Sequence, residues 1–182
     1  MISFLDFLKE SPYGAFKYSK KAHAGQTRSD GRDYFEHPKE VARFLQKYKP
    51  SKNMDDLISA ALAHDTIEDT DTTHQDLEKM FGGLVASLVS ELTTDKEKAK
   101  KMGKTQYLSQ KMTQMTPWAL AIKLADRLSN VQDIATAKTP EWRERYRKET
   151  ETILSNIEKA RKLSTSHKRL IGAIRDKLKE VS

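Results

Sequence analysis

Residues 60–69 read Ala-Ala-Leu-Ala-His-Asp-Thr-Ile-Glu-Asp, and the fold prediction starts from this stretch. Its first four residues are small or apolar and leave no polar face, which predicts a helix buried on all sides. This helix leads directly into an imidazole and a carboxylate, with two more carboxylates one turn later. Burying ionisable groups is costly unless they are paired or bind a metal, so the stretch predicts a metal-centred active site.

The composition of the chain limits the classes of protein to consider. Its 182 residues are 37% hydrophobic and 32% charged, which suits one globular domain and argues against general disorder. The sequence has no cysteine, which excludes disulfides, thiolate metal sites and cysteine nucleophiles. No run approaches the roughly 18 apolar residues of a membrane span, and residues 1–10 are too short and acidic for a signal peptide. We expect a cytoplasmic protein.

The net charge of +7 favours anionic partners, whether nucleotide, nucleic acid or membrane surface. A solvated basic surface with no specific partner explains the charge equally well. The lysine-rich run at residues 95–104 is interpreted as a mobile loop or an exposed helix with a solvated lysine face.

Hydrophobic spacings of three and four residues predict a string of helices throughout the chain. Three prolines are predicted as first helical residues, each after a capping residue: His37-Pro38, Thr116-Pro117 and Thr139-Pro140. Further helices are predicted from Asn53 to about Ala63, from Thr73 to near Gly82, and over residues 117–137, 140–163 and 166–178. The last two are amphipathic and charged, so we expect them to pack on the outside.

Residues 25–36 are polar, and their Asp30-Gly31 pair indicates a turn, so this segment is predicted to be non-helical. The sequence has no alternating strand pattern of useful length. We therefore predict a compact all-α fold, a single domain over residues 1–182 with its core at about residues 10–160.

Four side chains are candidate metal ligands: His37, His64, Asp65 and Asp126. Two imidazoles and two carboxylates suit Mn²⁺, Fe²⁺ or Zn²⁺, and the absence of sulfur ligands favours the harder ions. Each residue also has a structural interpretation, because Asp126 can pair with Lys123 or Arg127, and His37 can cap the helix that begins at Pro38.

Glu68 follows His64 by four residues, and Asp69 follows Asp65 by four, so each pair shares a helical face. We expect these two carboxylates to accept a proton from the attacking water or to orient it. A cap and salt-bridge cluster at the end of the helix is the alternative interpretation.

The order of these residues resembles the metal ligands of the HD phosphohydrolase superfamily. Three stretches resemble more specifically the hydrolase domain of Rel/SpoT-type enzymes, which remove the 3′-diphosphate of the alarmone (p)ppGpp: Ala-His-Ala-Gly-Gln-Thr-Arg at 22–28 with Tyr34 and His37-Pro38, Ala-His-Asp-Thr-Ile-Glu-Asp-Thr at 63–70, and Lys-Leu-Ala-Asp-Arg-Leu-Ser-Asn at 123–130. The resemblance covers residues 10–160 and implies an HD-domain fold acting as a stand-alone small alarmone hydrolase.

The resemblance also implies roles for individual residues. His37, His64, Asp65 and Asp126 would hold Mn²⁺, while Glu68 and Asp69 would activate the attacking water. The substrate contacts it implies are Arg28 against the nucleotide, Asn130 at the sugar, and Lys123 and Tyr146 nearby. His23 belongs to the same pattern and is expected to support the loop structurally.

Departures from the family pattern concern recognition of the base. Ser29 and Gln132 stand where many relatives have a basic residue, and Thr150 stands where a tyrosine is common, with Tyr146 one turn earlier. The adenine alarmone (p)ppApp or the 2′-phosphate of NADPH is therefore an alternative substrate. A non-enzymatic basic module that binds nucleic acid is the alternative from another class, although no nucleic acid or membrane partner is expected. The oligomeric state stays open.

Overall fold

The structure, a computed structural model, describes residues 12–137 and 139–180, and these form eleven helices with one isolated β-bridge between Thr27 and Asp33. The predicted all-α fold is thus confirmed, whereas the expectation about residues 1–10 lies outside the described residues. The helices are α1 Tyr13–Ala22, α2 Glu36–Tyr48, α3 Met54–Ala63, α4 Thr66–Asp69, α5 His74–Phe81, α6 Gly83–Leu92, α7 Lys96–Met102, α8 Lys104–Gln114, α9 Pro117–Ala137, α10 Pro140–Ala160 and α11 Thr165–Glu180.

The chain divides into two compact units, Met1–Thr93 and Thr94–Ser182. The prediction of a single domain over residues 1–182 stays a prediction. Within the described residues, every helix is too short or too polar to cross a bilayer.

Helix α3 is the centre of the first unit. It packs against α1, α2 and α6, and its residues from Leu57 to Ala63 are all buried, as the apolar sequence predicted. Burial of a side chain such as Leu62 contributes about 1.5–3 kcal/mol. A helix with neighbours on several sides holds its last residue, Ala63, firmly in place, and the functional stretch starts there.

The segment between α1 and α2 is non-helical, as predicted, although α2 already begins at Glu36. The Arg28 N–H donates to the carbonyl of Arg32 at 2.8 Å, and Gly31 lies between them with φ of +87°. Glycine adopts this left-handed backbone at no steric cost, which explains the Asp30-Gly31 turn.

The prediction that His37 caps a helix beginning at Pro38 is wrong. Helix α2 begins at Glu36 with Phe35 in the capping position, so His37 lies inside the first turn. Proline is tolerated throughout this turn because its missing N–H has no partner within the helix there, and Pro38 alone therefore does not define the start.

Other predicted helix starts are confirmed. The Thr73 hydroxyl accepts from the Asp76 N–H, and the Asp76 carboxylate accepts in return from the Thr73 N–H, which forms a complete capping box. Thr139 accepts from the N–H of Trp142 at the start of α10. Asn53 occupies the capping position of α3 without a capping hydrogen bond from its side chain.

In the second unit, α9 is buried over residues 119–131 except at Lys123 and Asn130, as its apolar sequence predicted. It packs against α11, while α10 packs against α8 and α11. The lysine-rich run forms the exposed helix α7, which has no buried residue, so the interpretation as a solvated lysine face is confirmed.

Candidate metal centre

His64 lies directly after α3 and is almost fully buried, with 1% exposure. Its Nδ1 lies 2.8 Å from the carbonyl oxygen of Ala61. A carbonyl can only accept, so Nδ1 carries the proton and the neutral ring presents a lone pair at Nε2. Metal-binding histidines commonly donate their other ring N–H to a backbone carbonyl in this way.

Asp65 faces that lone pair. Its Oδ2 lies 2.9 Å from His64 Nε2 and 3.7 Å from Nε2 of His37, which reaches the same place from α2. The two imidazole rings have centroids 5.1 Å apart. Two imidazole nitrogens and a carboxylate oxygen are thus gathered within the first unit.

The chemistry of this cluster fits a cation. A lone pair 2.9 Å from a carboxylate oxygen is repelled unless a proton or a metal ion lies beside them. The nitrogen and oxygen donors suit a borderline or hard divalent ion. His37, His64 and Asp126, each buried, are candidate metal ligands.

Asp126 lies in the second unit on α9, with 6% exposure. The Asn130 amide donates to its Oδ1 at 2.6 Å, and Lys123 Nζ lies 2.9 Å from its Oδ2. Of the two alternative partners considered for this carboxylate, Lys123 is the one that pairs with it. Because Lys123, Asp126 and Asn130 are spaced by three and four residues, they share one helix face.

Arg127 points to a different partner. Its Nη1 donates to Glu149 Oε1 at 3.0 Å, and its guanidinium lies 4.9 Å from the Tyr146 ring centroid. Burial lowers the pKa of Arg127, but the phenol of Tyr146 and the negative charge of Glu149 and Asp126 outweigh this effect and raise it overall. Arg127 is therefore a permanent cation held inside the second unit.

Glu68 and Asp69 lie on the single-turn helix α4. The Asp69 N–H donates to the carbonyl of Asp65, the N-cap of α4, at 2.9 Å, so Asp65 and Asp69 are one helical turn apart, as predicted. Glu68 is half-buried and Asp69 is exposed. Both carboxylates are thus accessible to water, which a proton acceptor in hydrolysis requires.

Tyr34 has no role predicted from the sequence, although it lies between the Ala22–Arg28 stretch and His37. Its hydroxyl donates to Asp65 Oδ2 at 2.5 Å, and its ring packs against the ring of buried His23, with centroids 4.7 Å apart and planes tilted by 33°. Its position three residues before His37 was the one indication in the sequence that Tyr34 could lie near the site. Its hydrogen-bond partner, Asp65, is 31 residues away in sequence, so local spacing could not predict this contact.

Gln26 is a second residue without a predicted role. Its Oε1 lies 2.9 Å from His23 Nδ1, and its amide donates to the carbonyl of Asp69 at 3.2 Å. His23 therefore supports the loop, as expected. The loop between α1 and α2 is tied through Tyr34 to Asp65 and through Gln26 to Asp69.

The predicted substrate residues lie in both units. In the first, the Arg28 guanidinium lies 5.9 Å from the Tyr34 ring centroid. In the second, Lys123 and Asn130 flank Asp126, and Tyr146 stacks on Trp142 with centroids 5.0 Å apart. Burial raises the pKa of the Tyr146 phenol, which therefore stays neutral near physiological pH.

Comparison with known proteins gives a consistent family. A family model described as an HD domain matches residues 15–165. The guanosine-3′,5′-bis(diphosphate) 3′-pyrophosphohydrolase MESH1 of Mus musculus is 38% identical over 71% of this chain and 73% of its own length. The bifunctional (p)ppGpp synthase/hydrolase SpoT of Escherichia coli is 37% identical over 84% of this chain, which spans only 22% of that relative.

A solved structure has a similar fold. It belongs to a metazoan ortholog of SpoT that hydrolyzes ppGpp and plays a role in starvation responses. It superposes with a TM-score of 0.75 at 27% identity, and the match covers 90% of this chain and 93% of that one.

Proposed function

The chain belongs to the HD domain family, and from this premise we propose that it is a metal-dependent phosphohydrolase that removes the 3′-diphosphate of (p)ppGpp. The observation that carries the proposal is the cluster of His37, His64 and Asp65 at the end of buried α3. Relatives named for this reaction support the choice of substrate. They favour the hydrolase over a basic module that binds nucleic acid.

We propose that His37, His64, Asp65 and Asp126 hold one divalent ion, and that Mn²⁺ is this ion. Two nitrogen and two carboxylate ligands support the assignment, because the two negative charges balance a divalent cation. The Nδ1 hydrogen bond of His64 to Ala61 supports it further by directing the Nε2 lone pair toward the cluster.

The ion, when bound, would supply Lewis-acid polarisation of the phosphate group that is cleaved. The side chains of the protein perform the other steps. Glu68, with Asp69 beside it, accepts a proton from the attacking water, whose oxygen bonds to the 3′-linked phosphorus. The bond from this phosphorus to the 3′ oxygen breaks, and that oxygen takes up a proton. The products are GDP or GTP and pyrophosphate.

Substrate contacts are proposed for four side chains. Arg28 and Lys123 supply positive charge for the phosphates, Asn130 contacts the sugar from the helix face of Asp126, and Tyr146 supplies a neutral aromatic surface. Lys123 pairs with Asp126, and because its ammonium lies 2.9 Å from that carboxylate, it can also bind a phosphate oxygen of a substrate beside the ion. The cytoplasmic location stays a prediction.

The proposal is tested on the Mn²⁺-loaded protein with ppGpp, pppGpp, ppApp and NADPH, with the products identified by chromatography. We expect pyrophosphate from ppGpp and pppGpp. Faster turnover of ppApp or NADPH would identify one of the alternative substrates, and inertness toward all four would refute the proposed activity.

Three variants test the residue roles. His64→Ala is expected to abolish turnover, and Asp126→Ala to remove bound metal as measured by elemental analysis. Glu68→Gln is expected to keep the metal but to slow hydrolysis by about 10²–10⁴-fold, the scale of general acid–base catalysis. Glu78→Gln is the matched control, because this exposed glutamate on α5 lies outside the proposed site. Normal rates for Glu68→Gln would exclude the proton-accepting role.

A further inference from the structure

A groove in the second unit has no role in the proposed hydrolysis. It lies at the C-terminal end of α10 and along one face of α11, and its volume is about 520 Å³. This volume lies in the range of small-molecule sites, about 300–1,000 Å³. The groove is lined by four basic side chains, one carboxylate and an apolar floor, and it shares no residue with the candidate metal centre.

Part of this charge is already neutralised. Arg175 binds both oxygens of Glu158, at 3.0 and 2.8 Å, and reaches Glu151 at 3.2 Å. Lys162 and Lys168 are exposed and have no ion pair among the residues that the structure describes. The groove therefore carries an excess of positive charge.

Arg161 is the third side chain, after Lys162 and Lys168, that contributes to the excess positive charge of the groove. Hydrogen bonds to backbone carbonyls fix its position. Its Nη1 donates to the carbonyls of Met112, Thr113 and Met115 at 3.3, 3.0 and 2.6 Å. These bonds use one nitrogen of the guanidinium. Within the described part of the chain, its Nε and Nη2 groups have no hydrogen-bond partner, so donors on an already ordered side chain are available at the groove.

Gly172 forms part of the groove wall in the middle of α11. A Cβ built there meets nothing within 4 Å, and its φ is not in the left-handed region, so neither packing nor backbone geometry requires glycine. Glycine inside a helix costs about 0.5–1 kcal/mol relative to alanine in general. The missing side chain leaves open space beside buried Ile171.

We propose that this groove binds a phosphate-bearing small molecule of the nucleoside diphosphate class. Arg161 and Lys168 would bind the phosphates, because a fixed guanidinium and a mobile ammonium match phosphate oxygens. The open space at Gly172, beside Ile171, would receive the flat, less polar part of the ligand. Such a site gives the protein a second contact with nucleotides, separate from the metal ligands.

The test is calorimetric titration of the full chain with GDP in the presence of EDTA, which removes the contribution of divalent metal. We expect saturable binding that Lys168→Glu weakens by about tenfold or more, the scale of one charge-assisted hydrogen bond. Gly172→Leu fills the open space and is expected to weaken binding similarly. Arg169→Glu is the matched control: it makes the same charge change on an adjacent exposed residue outside the groove and should leave affinity within about twofold.

Absence of saturable binding by the wild-type protein overturns the proposal. An equal loss in Lys168→Glu and Arg169→Glu also overturns it, because general surface charge then explains the affinity. Circular dichroism verifies the fold of each variant, and Lys168→Glu, an exposed substitution, keeps the test decisive if Gly172→Leu fails to fold.

Discussion

Replacing Tyr34 by Phe is expected to weaken Mn²⁺ binding while leaving the fold intact. The substitution removes only the hydroxyl that donates to Asp65 Oδ2 at 2.5 Å and keeps the ring that packs against His23. A hydrogen bond to a charged group contributes about 1.5–3 kcal/mol, and about 1.4 kcal/mol is a tenfold change in affinity. We therefore expect affinity to fall by about 10- to 100-fold, the range for partners that orient metal ligands.

The measurement is calorimetric titration of the metal-free protein with Mn²⁺, independent of any turnover assay. Tyr18→Phe is the matched control, because the Tyr18 hydroxyl lies 2.9 Å from the Thr72 hydroxyl and touches no proposed ligand. Its Mn²⁺ affinity should equal that of the wild type. If Tyr34→Phe binds Mn²⁺ as tightly as the wild type, the phenol does not orient Asp65; if both variants lose affinity equally, the loss reflects general destabilisation.

Three further predictions concern stability. Gly172→Ala should raise the free energy of unfolding by about 0.5–1 kcal/mol in urea, because alanine restricts the unfolded chain and fits the open space. Glu149→Ala should lower it by about 3 kcal/mol or more, since it leaves buried Arg127 without its carboxylate. Hydrogen bonds from Thr73 lower the pKa of Asp76 below its ordinary value, so Asp76→Asn should destabilise the protein near neutral pH, and the difference should vanish as the pH falls through the lowered pKa.

Each of these has a control and a contrary outcome. Gly103 has φ of +83°, so Gly103→Ala should destabilise, and a gain there would contradict the conformational argument. Glu144 pairs with Arg147 on the surface, so Glu144→Ala should cost less than Glu149→Ala; equal costs would mean that burial is unimportant. A pH-independent effect of Asp76→Asn would mean that the charge of Asp76 does not support the cap.

Much of the helical architecture was predictable from the sequence because helix formation depends on near neighbours. Each backbone hydrogen bond joins residues four apart, and a cap such as Thr73 bonds to Asp76, three residues later. The apolar run before His64 likewise predicted burial without knowledge of its neighbours. The start of α2 was missed because the sterics of Pro38 permit several positions in the first turn.

The identity of the candidate ligands was also predictable from the sequence, because only a few side-chain types bind hard or borderline ions. The hydrogen-bond partners that orient these side chains were not predictable. The hydrogen bond from Tyr34 to Asp65 spans 31 residues, and the bonds from Arg161 to the carbonyls at the end of α8 span 46–49. Such contacts form only when packed helices bring distant segments together, and local spacing contains no record of that packing. Sequence therefore determined the helices and the candidate chemical groups, whereas tertiary packing decided which atoms orient those groups and where the basic groove lies.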